Sequence, residues 1–444
     1  MSLAGNPRLR LLTFCLLYVA QGIPWGFMAT TLPGYLTKRG LDAGYIGATL
    51  AFTTLPYTFK WIWGPIIDTF TIPRFGRRRP WIIFAQFMMA ATVLVLVAIP
   101  DLTVEIRLLA WMILIHTVFN ALQDVAVDAL AVDLLTDEER GRANGFMYGS
   151  KYFGGIAGGF GMAWLIAESG LRTALLVQVA ILVAIMFVPL FVKERDGAAA
   201  KSLPAQELLY KLQQAFSLRS TLVAAVLMLG MHFAVGMVTA TGPALFIGKL
   251  GWDPLSYTAI TGGWGLAVGG VAAASTGWLI DRFGRRQVAA VAAFALAGGW
   301  IVFALARGSW YDLTFVRVLA FWEAAATAVM AVSLIALCMD LSWTKIGGSQ
   351  FAAYMALSNF STTLGYQFAA KAMAWWEFHG VYLAAAVFQI AMVFVLLPID
   401  PLQTKRELSE ETRINKLGIV ALAVLLVFLI GMTVYVTAKR LGYI

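Results

Sequence analysis

The amino-acid sequence predicts an all-α polytopic membrane protein, built as two six-helix bundles with pseudo-two-fold symmetry plus one extra C-terminal transmembrane helix. Three observations carry this expectation. Of 444 residues, 60% are hydrophobic and only 13% are charged, about half the charge of an ordinary soluble chain. Apolar runs of the roughly 20 residues that a bilayer core requires recur along the whole length. A ten-residue cassette, Gly277-Trp278-Leu279-Ile280-Asp281-Arg282-Phe283-Gly284-Arg285-Arg286, also has an echo 213 positions earlier: Gly64-Pro65-Ile66-Ile67-Asp68, an insertion holding Pro73, then Gly76-Arg77-Arg78-Arg79.

The apolar runs lie near 10–36, 44–68, 80–99, 106–134, 141–167 and 173–192. A polar link over 193–218 follows, with a short amphipathic stretch from Ala205 to Phe216. The second set lies near 220–248, 256–280, 288–306, 312–341, 347–375 and 380–398. A last link, Asp400 to Lys416, leads to one more run from Leu417 to Thr437. The expected units are therefore an N-terminal bundle over 1–192, a cytoplasmic linker over 193–218, a C-terminal bundle over 219–399, and a linker with the additional helix over 400–444.

Each cassette ends one apolar helix on a Gly-x-x-x-Asp step and opens the next after a Gly-Arg turn. The small residue lets two helices approach closely. The carboxylate can cap or pair at the membrane face, while the arginines stay on the cytoplasmic side. Two copies in two halves indicate internal duplication. Further echoes support it: Tyr354-Met355-x-x-Ser358-x-Phe360 repeats Phe146-Met147-x-x-Ser150-x-Tyr152, and Asp340 repeats Asp133. From the cassettes and their flanks, the expected conformational gate comprises Gly64, Asp68, Arg77, Arg78, Asp133, Arg140, Gly277, Asp281, Arg282, Arg285 and Asp340.

The formal charge of +9 does not imply nucleic acid, because the cations are sorted by side. Of the 33 Lys and Arg, 21 fall in segments that alternate to one face. This bias places the N-terminus in the cytoplasm. Cys15 and Cys338 both lie inside apolar runs, which argues against a disulfide framework. The first run is longer than the apolar part of a cleavable signal, so it is expected to serve as its own insertion signal.

Ionisable residues inside the hydrocarbon are costly and mark cavities or partners. Counting about 1.5 Å per residue from the cytoplasmic ends, Lys60 and Asp124 lie roughly 12–13 Å deep, and Gln21 and Lys151 roughly 16 Å deep. Asp128 is one turn from Asp124 on the same helix face. Gln21, Lys60, Gln123, Lys151 and His232 are the expected substrate contacts, with Asp124 or Asp128 as proton carrier. A second reading is a permanent Lys60–Asp124 ion pair that fixes bundle register, or Asp128 and Asp133 as gate contacts with the basic loops. In the second half, Glu323 lies towards the outer side and is an expected outer-gate residue. Trp25, Trp61, Trp63 and Trp264 suit interface belts or packing better than a solute path.

Several stretches sharpen the picture: Tyr18-Val19-Ala20-Gln21-Gly22-Ile23-Pro24, Leu55-Pro56-Tyr57-x-x-Lys60-x-x-Trp63-Gly64-Pro65, Gly76-Arg77-Arg78-Arg79-Pro80-Trp81 with Gln86, Gln123-Asp124-Val125-Ala126-Val127-Asp128-Ala129, and Glu138-Glu139-Arg140-Gly141 with Asn144. With the cassettes, they resemble the major facilitator superfamily, in the branch holding the AmpG muropeptide permease and the acetyl-coenzyme A transporters. The N-terminal half carries the branch resemblance; the C-terminal half resembles the superfamily in general. The resemblance implies a major facilitator fold and proton-coupled secondary transport of a large, polar, anionic solute across a bacterial inner membrane. A muropeptide is the first expectation, with acetyl-coenzyme A or a siderophore as alternatives.

Two other classes are weaker. His116, His232 and His379 are scattered and no HExxH motif occurs, so a membrane enzyme, a resident metal and a cofactor are not expected. No Walker-type loop is present, so an ion or solute gradient is the expected energy source. A non-transporting receptor would leave the mid-membrane charges without a purpose. The expected partners are the solute, protons and the lipid bilayer, with the protein acting as a monomer.

Overall fold

A computed structural model describes residues 2–39, 55–72, 75–99, 104–195, 204–253, 256–257 and 259–408, together with isolated helical positions between 420 and 431. Among the described residues the fold is helical, and nine helices are long and apolar enough to cross a membrane.

The first spans Pro7–Leu36. Asn6 caps it by accepting from Leu9 N at 3.0 Å, and Pro7 sits where no donor is required. Pro24 removes an internal ladder bond, and the helix widens into a π turn at Phe27–Thr31. The second expected run, 44–68, lies partly outside the described residues. Its described part is broken into Leu55–Thr58, a 3-10 turn at Lys60–Ile62, and Trp63–Thr69. Pro56 and Pro65 remove ladder donors on either side of that turn, which starts at Lys60.

Arg79–Ala98 and Ile106–Leu134 form the third and fourth spans. The fifth and sixth share one hydrogen-bonded stretch, Asp137–Phe191, broken at Gly170 with φ +81°. It begins four residues before the expected start at 141. Thr136 and Glu139 form a reciprocal capping box there, which satisfies two backbone donors. The seventh span, Arg219–Lys249, is interrupted at His232. Ala259–Phe283, Arg285–Leu305 and Leu313–Leu341 follow. The last two share Gly347–Leu396, broken at Glu377.

The duplicated cassette recurs as backbone geometry. Gly76 and Gly284, the glycines ahead of the arginines, have φ of +106° and +84°. Only glycine adopts such values without strain. The Gly-x-x-x-Asp glycines act differently, through close approach between the halves. A Cβ on Gly64 would stand 2.6 Å from Ser349 Cα, and one on Gly277 would stand 2.4 Å from Arg142 Cα. The second span thus packs against the eleventh, and the eighth against the fifth. Within the first half, Gly26 approaches so closely that its Cβ would meet Gly155 O at 2.0 Å.

The amphipathic stretch of the linker is a helix, Ala205–Ala215. It buries Leu208 and Ala215 in a small cluster with Leu218, Ile346 and Leu408, on the face that carries the basic cassettes. The expected additional helix over Leu417–Thr437 lies outside the described residues, apart from helical positions at Val420, Ala423, Val424, Val427 and Gly431.

Candidate functional site

Two groups of charged residues stand out, one at the basic face and one in the interior of the first half. At the basic face, Asp68 is fully buried. Its Oδ1 lies 3.0 Å from Arg77 Nη2 and 2.7 Å from Arg78 Nη2. Its Oδ2 accepts from the backbone N–H and the hydroxyl of Ser349, both at 2.7 Å. Arg78 also reaches Asp133 through Nε at 2.9 Å. Burying so many charges costs several kcal/mol per ion unless each is paired, and here each carboxylate meets arginine.

The second cassette makes the matching arrangement. Arg285 Nε lies 2.8 Å from Asp340, and Arg140 Nη1 lies 3.0 Å from the other oxygen of the same carboxylate. Arg285 also donates to Asp137 O at 2.6 Å. Arg142 and Asp281 form a looser, more exposed pair at 3.4 Å. Arg140 and Arg142 come from the first half, Asp340 and Asp281 from the second, so these contacts hold the halves together at this face. Arg282 stands apart from the network: its guanidinium stacks over Trp278 at 5.6 Å and Phe283 at 5.4 Å.

In the interior, Asp124 sits between two ammonium groups. Lys60 Nζ is 3.0 Å from Oδ2, and Lys151 Nζ is 3.4 Å from Oδ1. Lys60, Asp124 and Asp128 are almost wholly buried, whereas Lys151 keeps 23% of its side chain exposed. Lys151 is therefore the least buried member of the group. Its ammonium also lies over the rings of Tyr18 and Tyr148, at 5.7 and 5.9 Å, a favourable cation–π placement. Tyr18 donates to Asp128 Oδ1 at 2.5 Å. The four charges balance when all are ionised.

The other expected residues are placed less centrally. The Gln123 amide donates to Leu17 O at 3.4 Å. Gln21 is fully buried, and neither atom of its amide has a hydrogen-bond partner among the described residues. His232 lies in the second half at the break in the seventh span, 3.0 Å from the Ser358 hydroxyl. Glu323 lines a separate cavity, walled mainly by the second half. Trp61 and Trp63 pack against the core, while Trp25 and Trp264 are exposed.

Tyr18, Tyr148, Ser349 and Asp137 were not singled out from the sequence. Tyr148 precedes Lys151 by three residues, and so shares its helix face. Ser349 follows two glycines at the start of a long apolar run, where a backbone donor is free to meet a carboxylate.

Comparison with known proteins gives the family and the fold. The chain is 25% identical to the anhydromuropeptide permease of Escherichia coli strain K12 over 420 residues, covering 89% of this chain and 79% of the permease. Its fold matches the human organic anion transporter at a TM-score of 0.68 and 14% identity, over 88% of this chain and 99% of that one. It matches the fucose:proton symporter of E. coli at a TM-score of 0.65 and 15% identity, over 88% and 98%. The family match covers residues 14–366 and 224–443, and the chain belongs to the Major Facilitator Superfamily.

Proposed function

We propose that this multi-pass membrane transporter is a proton-coupled permease for a polar, anionic solute, with an anhydromuropeptide as the first candidate. The observation that carries the reading is the Lys60–Asp124–Lys151 group. An anionic group of the solute binds Lys151, the exposed cation, and draws it away from Asp124. Asp124 is then left with Lys60 alone, and this links solute binding to proton uptake through the lysine they share. Asp128, held by Tyr18 one turn away, is the second carboxylate of the same relay. The likeness to the anhydromuropeptide permease supports the choice of cargo.

In this reading the two lobes, 1–192 and 219–399, rock about the space between them, joined by the linker over 193–218. The basic face is cytoplasmic, and its ion pairs close that side; that side opens, and the opposite one closes, when they break. Gly64, Asp68, Arg77, Arg78, Asp133, Arg140, Gly277, Asp281, Arg285 and Asp340 act as the gate. Alternating exposure about a fixed site then moves the solute across a bacterial inner membrane.

The test is uptake into vesicles driven by an imposed pH gradient. Asp124→Asn is expected to abolish gradient-driven accumulation while solute binding persists. Intact pH-driven uptake in that variant would remove Asp124 from the proton path. A thermal-shift screen against anhydromuropeptides, acetyl-coenzyme A and siderophores identifies the cargo; stabilisation by one of the latter two alone would reassign it.

A further inference from the structure

Another carboxylate lies within the membrane, outside the group formed by Lys60, Asp124, Asp128 and Lys151. Glu323, on the tenth span, lines a cavity of about 530 Å³ walled mainly by the second half, with Tyr152 from the first, within the range of small-molecule sites. Its carboxylate lies beside the Trp300 indole, and the phenols of Tyr257 and Tyr382 sit within its electrostatic reach. Phe246 and Phe303 complete the wall. The rings pack as one group: Phe303 lies 4.5 Å from Tyr382, and Phe246 lies 5.8 Å from Tyr257.

Among the described residues no cation lies within salt-bridge distance of Glu323. The cations on neighbouring elements are directed elsewhere. Lys249 stacks over Phe378 at 5.2 Å, and Arg317 lines a different cavity with Asp253 and Trp264. An intramembrane carboxylate requires a partner, and aromatic rings around it favour a desolvated cation. We propose that this cavity is a binding site for an organic ammonium group, with Glu323 as its counter-ion and the surrounding rings as its cage.

The position relative to the lysines adds a consequence. Tyr152 lines the cavity and packs against Gly269 and Gly270 of the eighth span, while Lys151, the residue before it, contacts Asp124. Adjacent positions on one helix thus serve the two sites. A solute with an anionic group at one end and an ammonium at the other would bridge them. This consequence rests on the transport reading above; the ammonium site itself does not.

The test uses the purified full chain in nanodiscs, with choline as probe and 3,3-dimethyl-1-butanol as its neutral isostere. Choline is expected to bind saturably and about tenfold or more tighter than the isostere, as a caged cation should. Glu323→Gln is expected to remove that preference and leave binding of the isostere unchanged. In the unmodified protein, choline should protect Glu323 from a hydrophobic carbodiimide, read by peptide mass spectrometry, and the isostere should not. This second readout stands if the variant fails to fold. Equal binding of the two probes, or carbodiimide labelling indifferent to choline, would overturn the proposal. Neither result bears on Lys60 or Asp124, whose failure in the uptake assay would equally leave this site untouched.

Discussion

Asp68 and Ser349, 281 residues apart in the chain, meet through two hydrogen bonds of 2.7 Å in a fully buried setting. One comes from the backbone and one from the hydroxyl, so the second span is tied to the first turn of the eleventh. The same carboxylate also holds Arg77 and Arg78. This joint ties contact between the halves at the basic face to charge pairing within the first half.

Ser349→Ala removes the hydroxyl bond and keeps the backbone bond. It is expected to weaken closure by about 1 kcal/mol, a roughly fivefold change in the ratio of closed to open forms. Asp68→Asn leaves buried arginine unbalanced and is expected to cost about 3–5 kcal/mol. Alkylation of a cysteine placed at Ser342, buried beneath this face, reports the change. Equal reactivity in both variants and the parent would contradict the assignment.

The glycines of the two cassettes give a steric counterpart. Gly64→Ala and Gly277→Ala each place a methyl group against backbone of the opposite half, at 2.6 and 2.4 Å. Both are expected to hold the basic face open and to slow transport more than they reduce thermal stability. Gly298→Ala, where nothing lies within 4 Å, is the control and should behave as the parent. A Gly64→Ala protein that closes normally would show that the halves do not approach as described.

The buried charges predict non-additive behaviour. Lys60→Met alone leaves Asp124 with only Lys151, and Asp124→Leu alone leaves Lys60 unpaired. Each is expected to cost about 3–5 kcal/mol of stability. The double variant, with a matched apolar pair, should recover most of that loss and yet fail to accumulate solute. Recovery of transport along with stability would mean that the pair only fixes the bundle.

Glu194 offers a test outside the membrane. Its carboxylate accepts the backbone N–H groups of Arg77, Arg78 and Arg79 at 2.9, 2.6 and 2.5 Å, capping the third span. Glu194→Ala is expected to cost about 1–2 kcal/mol and to lower the melting temperature by a few degrees. An unchanged melting temperature would show that the cap contributes nothing.

Much of this arrangement was readable in the residues. The ion pairs at the basic face were foreshadowed because Gly-x-x-x-Asp and Gly-Arg-Arg appear twice, and depth counting placed Lys60, Asp124 and Lys151 within about one helical turn of each other. Arg282 was grouped with the gate as part of the second cassette; in the structure it stacks over Trp278, four residues before it. The break at Lys60 was hidden because its hydrophobic surroundings read as one span. Tyr18 was noted only as part of a stretch that carries the family resemblance; its place beside the charges depends on a contact with Asp128, 110 residues away. Glu323 was placed towards the outer side, but a linear pattern holds no trace of the rings gathered around it from four other spans.

The central claim is that the two lobes alternate, one face opening as the other closes. Pulsed electron–electron distance measurement tests it directly, with spin labels at Phe146 and Trp278 across the basic face and at Phe160 and Tyr311 across the opposite one. On passing from the parent to Asp68→Asn, the first distance is expected to lengthen while the second shortens. Two distances that stay fixed, or that lengthen together, would contradict the account.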